Sequence, residues 1–328
     1  MFDVTVIGDT VVDTYIPLLE AHIAEKDGQT MISLPFGHKV PVGDAISLVA
    51  GNGANVAVGL ARLGLKTAIY THVGNKDDEE FDDQIKSKLK SEKVDLRYVA
   101  EIDSLPSNHN IVLTFNNERT ILTHHQNWNY SLPDLEQSNC IYLTSLSGSV
   151  EKTHLLSDLV RFLERTGAKL VFQPGTFQIK LGIKKQSRLL GMTQVLIMNK
   201  EEAQIFLSID PEKKVEMKIL LQELHDLGPK NVIVTDGREG SFGFDGEYFY
   251  QLGLFPAELV EMTGAGDAYA SGVTAALLQG KELSEAMRWG TANSAGVVEA
   301  IGPQKGLLHK TKMEAVLRAQ KAIVAEEM

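Results

Sequence analysis

One cysteine, Cys140, stands in 328 residues, so no internal disulfide can form. It lies in an apolar run from Cys140 to Leu143 that reads as a strand, which makes it a buried thiol. No run of eighteen apolar residues occurs, so no helical membrane span is expected. The chain enters the alternating strand FDVTVIG with no basic leader, and we read it as cytoplasmic. Basic residues are in deficit: 32 Lys and Arg against 43 Asp and Glu leave a net charge of −11. That surface repels nucleic-acid phosphates and anionic lipid, so neither nucleic acid nor membrane is expected as a partner, and any bound polyphosphate needs a locally built site. No GxxxxGK[ST] string is present, which excludes a P-loop. A dinucleotide fingerprint also fails, because after Gly51 and Gly53 its third glycine would fall at Val56. Internal repeats and low-complexity segments are lacking as well.

What is present is an ordinary soluble composition, 43% apolar and 23% charged, long enough for one large α/β unit spanning 1–328 with a small appendage. Short apolar strands are expected near Val4–Gly8, Thr67–His72, Cys140–Thr144, Lys169–Phe172, Val195–Met198 and Val232–Thr235. Between them Asp78–Ser91, Lys152–Arg165 and Lys214–Leu227 carry apolar residues at helical spacing. Such alternation predicts a doubly wound, mainly parallel sheet flanked by helices. Two stretches break the rhythm, about 11–49 and 95–124. The second holds the alternating runs NIVLTF and RTILTH around the turn Asn116–Asn117–Glu118. Both are expected to form a small β-sheet lid over the ligand-binding end, with a plain surface hairpin as the alternative.

The most informative segment is VEMTGAGDAYASGVTAALLQG, Val260 to Gly280. Gly264, Ala265 and Gly266 precede Asp267 and a run of small and apolar residues that must be a closely packed helix. The first turn of such a helix offers free N–H groups of partial positive charge, an anion cradle. Asp267 beside it could take the proton of an attacking hydroxyl, or could simply be an N-cap. In Gly51–Asn52–Gly53–Ala54–Asn55 the glycines admit backbone close to a ligand, and the two asparagines donate and accept hydrogen bonds. This suits a polyhydroxy compound, or else a glycine-rich turn with an asparagine cap. Asp9 and Asp13, after the first strand, can accept from vicinal hydroxyls, although Asp9 also reads as a turn residue.

The string TGAGDAYASG resembles the C-terminal signature of the ribokinase (PfkB) family of carbohydrate and nucleoside kinases. AGNGANVAVGLARLG, Ala50 to Gly64, is similar to its N-terminal signature, so the likeness spans essentially the whole chain. The resemblance implies a ribokinase-like fold and an ATP-dependent kinase with Mg²⁺. Asp267 would be the catalytic base, Gly264, Ala265 and Gly266 the anion hole, and Asp9, Asp13, Gly51, Asn52 and Asn55 the acceptor site. Asn199 and Glu202 match the family's N-x-x-E motif, with Asn199 near the phosphates and Glu202 ordering Mg²⁺ through its waters; a solvated helix start is the bland reading. Thr235, Gly237 and Gly240 in TDGREGSFGF match the nucleotide loop, or form a hairpin turn. Asn293 matches a position close to the adenine, followed by the loop IGPQKG, Ile301 to Gly306.

Departures from the family pattern limit what it implies. Glu261 and Met262 stand before Thr263 where Asp-Thr is common, in a region that helps many members hold a monovalent cation such as K⁺. Gln173–Pro174–Gly175–Thr176–Phe177 replaces a D-P-N-x-R-like segment, removing an arginine expected for a phosphorylated or acidic sugar. Ala50 and Asn52 stand where ribokinases usually have Gly and Lys. The lid offers Arg119, His124 and His125 as acceptor contacts, with the two histidines on opposite faces of their strand. Family precedent also implies a homodimer through the lid. Three functions follow: a sugar kinase, a nucleoside kinase, or a non-catalytic sugar- or nucleotide-binding regulator on the same scaffold.

Overall fold

Strands covered by helices on both faces should be buried along their length rather than alternately, and Thr67–Gly74 is buried at every residue. The computed structural model describes residues 1–26, 28–76, 79–116 and 118–328. Asn117 of the expected turn and Asp78 of the expected helix lie outside them. The strands are β1 (Phe2–Ile7), β2 (Val11–Pro17), β3 (His22–Lys26), β4 (Gln29–Ser33), β5 (Ile46–Ala50), β6 (Thr67–Gly74), β7 (Asp95–Ile102) and β8 (His109–Phe115). They continue with β9 (Glu118–His124), β10 (Ser138–Leu143), β11 (Lys169–Phe172), β12 (Thr193–Asn199), β13 (Asn231–Thr235), β14 (Ser241–Phe244), β15 (Phe249–Leu252) and β16 (Glu326–Glu327).

Among the described residues, ten strands form the main sheet in the order β7-β6-β1-β10-β11-β12-β13-β14-β15-β16. In that order the first seven strands, from β7 to β13, run parallel, and β14, β15 and β16 each lie antiparallel to the strand before. Alternation divides the core between the two faces: Val4, Val6 and Tyr142 pack on one side, Ile7, Ile141 and Leu143 on the other. The first side is covered by the helices Asn52–Arg62, Ala265–Leu278 and Leu283–Val298, and the second by Leu155–Thr166 and Met217–His225. From β1 the chain goes on to β6 and β7 on one side and later returns to β10 on the other. That reversal makes the carboxyl ends of β1 and β10 the topological switch point, where ligands of open α/β sheets bind.

Four strands, ordered β5-β2-β8-β9, form a separate small sheet, and β3 and β4 make a two-stranded ribbon of mostly exposed residues. The expected lid boundary needs one correction. Residues 95–102 are β7, the edge strand of the main sheet, paired parallel to β6; the second lid segment begins only at β8. The reason is packing: Tyr98 turns inward and meets Phe2 edge-on, 6.2 Å between ring centroids. Alternation fits an edge strand of either sheet, so the pattern alone did not separate them.

Candidate active site

Two helices begin side by side at the switch point. Gly51, at φ +93°, lets Asn52–Arg62 start directly against the turn after β1, where a Cβ would sit 2.7 Å from the Asp9 carbonyl oxygen. Ala265–Leu278 packs alongside it, with Gly59 against Ser271. This approach brings the first turn of one helix onto the first turn of the other. Asn52 Nδ2 donates to Asp267 Oδ1 at 2.9 Å and Asn55 Nδ2 to Asp267 Oδ2 at 2.8 Å. Gln173 Nε2, just past the end of β11, approaches Oδ1 at 3.4 Å. Asp267 is 6% exposed, and burial pushes its carboxyl up to about 6 against the opposing pull of these amides. It is not the N-cap. Gly264 holds that place in the left-handed region at φ +81°, where a side chain would strike Pro303, and no side chain caps the helix.

The N–H groups expected to form an anion hole are not equally free. Ala265 N–H turns back to the Met262 carbonyl at 3.2 Å, whereas among the described residues Gly264, Gly266 and Asp267 N–H find no protein acceptor. Gly266 is exposed. Glu261 bonds Thr263 Oγ1 through one carboxylate oxygen and accepts from Gly302 N–H at 2.7 Å through the other, clasping the 301–306 loop. Each carboxylate oxygen thus spends one acceptor direction on the protein.

The early aspartates separate. Asp9 is enclosed: Tyr130 Oη lies 2.7 and 2.9 Å from its two oxygens, and burial pushes it up to about 7. A carboxylate spent this way braces the 126–131 segment rather than facing an acceptor, which corrects its expected place among the acceptor contacts. Asp13, on β2, accepts from Asn110 of β8 at 2.9 Å. Burial raises it to about 6, with Glu261 pushing further up and Arg119 pulling down. Arg119 thus lies within electrostatic reach of Asp13, while its own strand β9 is exposed throughout. His124 and His125 are both exposed.

Of the residues expected to meet the nucleotide, Asn199 and Glu202 form a reciprocal capping box at the helix Lys200–Phe206. Asn199 Oδ1 accepts from Glu202 N–H at 2.8 Å and Glu202 Oε2 from Asn199 N–H at 3.0 Å. Burial raises the Glu202 carboxyl, and its charge adds to the upward push on Asp267, so the two lie within electrostatic reach of each other. Thr235, Gly237 and Gly240 lie in or beside the turn joining the antiparallel β13 and β14, with Gly240 packed on the Leu252 carbonyl. The adjacent Lys200 and Asp236 pair at 2.6 Å. Asn293 requires a correction. It is wholly buried, donates to Ala268 O (2.9 Å) and Ser271 Oγ (3.0 Å), and accepts from Leu308 N–H (2.8 Å). Its amide locks two helices to a loop, and neither N–H is left to donate to an adenine.

Sequence reasoning missed Tyr130, Gln304 and the role of Gln173. Gln304 Nε2 donates to Asn55 Oδ1 at 3.1 Å, so both ends of the Asn55 carboxamide are held by protein. Gln173 had a usable signal, a polar residue at the carboxyl end of a buried strand beside the switch point.

With this geometry in view, relatives become interpretable. The family model for pfkB family carbohydrate kinases matches residues 4–310, and the chain belongs to that family. It is therefore a phosphotransferase with an alcohol group as acceptor. It is 26% identical over 272 residues to a 5-dehydro-2-deoxygluconokinase of Clostridium perfringens, covering 76% of this chain and 78% of that protein. A ribokinase of Haemophilus influenzae is 25% identical over 267 residues, 78% of this chain and 83% of that one. Among solved structures, Arabidopsis thaliana ribokinase complexed with ribose and ATP superposes with a TM-score of 0.79 at 20% identity, covering 97% and 99% of the two chains. Its likeness supports the shared fold.

Proposed function

We propose that the protein transfers the γ-phosphoryl group of ATP to a hydroxyl of an uncharged sugar or sugar-like alcohol, with Asp267 as the base. The observation that carries this is the placement of Asp267: a buried carboxylate oriented by amides, one helical turn from the unpaired N–H groups of Gly264 and Gly266. In the step, the acceptor O–H bond breaks and its proton passes to Asp267. The freed oxygen forms the new bond to the γ-phosphorus, and the bond to the β-bridging oxygen breaks with its electron pair leaving on ADP. The N–H donors of Gly264, Gly266 and Asp267 stabilise charge gathering on the phosphoryl oxygens.

Magnesium, which would neutralise phosphate charge, fits as a guest of the nucleotide: it keeps several waters and needs only one or two carboxylates. Among the described residues no three His, Cys, Asp or Glu side chains converge to hold a metal alone. Glu202 keeps Oε1 free for a magnesium-bound water, because only its Oε2 is used by the capping box. On the acceptor side, Asp13 is the buried carboxylate the lid sheet itself contributes, with Arg119 of the same sheet the nearby cation. Carboxylates at Asp13, Glu261 and Asp267 outweigh that one guanidinium, which disfavours acidic or phosphorylated acceptors.

ADP release measured without acceptor, then with hexoses, pentoses, sugar acids, sugar phosphates and nucleosides, tests the proposal. Stimulation by neutral sugars is expected. Stimulation only by nucleosides would move the assignment to a nucleoside kinase, and none by any acceptor would favour a binding regulator. We also propose a second copy of this chain as a partner through the lid, whose strand β9 has an unpaired outer edge among the described residues.

A further inference from the structure

The base of a phosphoryl-transfer site has to present one lone pair to the acceptor and keep it there. Asp267 is surrounded by carboxamides: Asn52 and Asn55 from one helix and Gln173 from the end of β11. A carboxamide can face a carboxylate with either its N–H₂, which attracts, or its carbonyl oxygen, which repels. For two of the three, something in the structure fixes the choice. Asn55 is held by Gln304, which donates to its Oδ1. Gln173 is held by Tyr142 of β10, whose buried hydroxyl donates to Gln173 Oε1 and leaves Nε2 turned to Asp267.

We infer that Gln173, locked by Tyr142, is a positioning residue for Asp267. Between them Asn52 and Gln173 occupy both lone-pair directions of Oδ1, whereas Oδ2 accepts from Asn55 alone. The remaining direction on Oδ2 is where the acceptor hydroxyl delivers its proton. This inference rests on the reading of Asp267 as base and adds the atom and the residues that prepare it. The charged group acting on Asp267 is Glu202, the charge of Asp267 in turn raises Tyr142, and no cation contributes to its balance among the described residues. Neutral amides are therefore what keeps the carboxylate in its receptive form, and Tyr142 acts only through the glutamine it orients.

The test uses Gln173→Leu, Tyr142→Phe and the double variant. First, the Asp267 carboxyl is titrated by ¹³C NMR in aspartate-labelled protein, its resonance assigned from an Asp267→Asn spectrum; this readout needs no acceptor. Loss of a donor to the charged form is expected to move the midpoint upward by roughly half to one pH unit in each single variant. The double variant should move no further than Gln173→Leu alone. Second, with ATP, Mg²⁺ and a neutral sugar that supports turnover, kcat should fall on the order of tenfold in Gln173→Leu while the KM for ATP stays level. Tyr142→Phe, isosteric and confined to the loss of one hydroxyl, carries the test should the leucine variant fold poorly. Unchanged midpoints in both variants would overturn the inference, as would shifts that add in the double variant. Full turnover in Asp267→Asn would instead remove the base reading itself, a separate result from either of these.

Discussion

Asp267 and Asp9 are both buried carboxylates near the end of β1, yet they are built for different work. Asp267, on the proposed reading, keeps a lone pair for the acceptor, and its carboxyl is raised to about 6 by burial. A base must be ionised, so kcat/KM should decline as pH falls through about 6, and Asp267→Asn should lose about a hundred- to ten-thousand-fold in turnover with ADP affinity kept. Calorimetric nucleotide binding beside the rate assay checks both parts. Asp9 shares the Tyr130 hydroxyl between its oxygens and is raised to about 7. Its folded value lies above the ordinary carboxylate value of 3.8, so the folded state holds a proton that the unfolded chain releases. The stabilisation is full below the ordinary value and is lost as pH climbs to about 7. Asp9→Asn, which preserves an acceptor for Tyr130, should flatten that decline by up to a few kcal/mol, measured as urea unfolding between pH 4.5 and 8.

At the scale of elements, glycine-rich helix starts were plain in the sequence because close backbone approach leaves a compositional trace. Gly51 and Gly264 sit at helix starts as expected, and each would collide with a neighbouring loop if it carried a side chain. Partnerships left no such trace. Asn293 looked like a ligand contact and is a buried clamp, because an asparagine on a small-residue helix serves either purpose and only the neighbouring Ala268 and Leu308 decide. Gln304 and Tyr142 lie far in sequence from the residues they fix, at separations of 249 and 31 positions, which no local pattern reveals. Arg62 is another long-range tie. It ends the first helix, pairs with Glu92 (2.6 Å) and donates to the carbonyls of Gln304 (2.7 Å) and Leu307 (3.0 Å). Arg62→Ala should destabilise by about 3 kcal/mol, because Glu92, held down to about 2 chiefly by this guanidinium, is left half-buried beside only Lys88. Loosening of the 301–308 loop should follow, visible as faster hydrogen exchange there; unchanged exchange would show that Arg62 merely anchors Glu92.

For the whole molecule, alternating short strands and amphipathic helices made the layered architecture legible, since periodicity reports burial on one or two faces. Which sheet an edge strand joins is decided by tertiary packing, and β7 shows the limit. The lid segments also leave large apolar side chains in water: Ile23, Met31 and Leu34 on or beside the β3–β4 ribbon, Ile121 and Leu122 on β9, and a fully exposed Phe36. Such a surface on a strand edge is a place for a partner. Sedimentation of the wild-type chain as a dimer is expected, with Ile121→Lys combined with Phe36→Ser shifting it to monomer. A wild-type monomer at tens of micromolar would exclude the pairing.

The small sheet is not hung from the large one by a single hinge. Its strands leave and rejoin the main body after β1, after β5, before β8 and after β9, so the backbone bridges the gap between the two sheets four times. One bridge runs through Gly51 into Asn52, the residue that steadies Asp267. If Asp267 is the base we propose, rocking the lid outward to admit a sugar would tug on the amide that aims it. On the proposed reading, ATP arriving before the sugar would meet a carboxylate whose aim depends on where the lid stands.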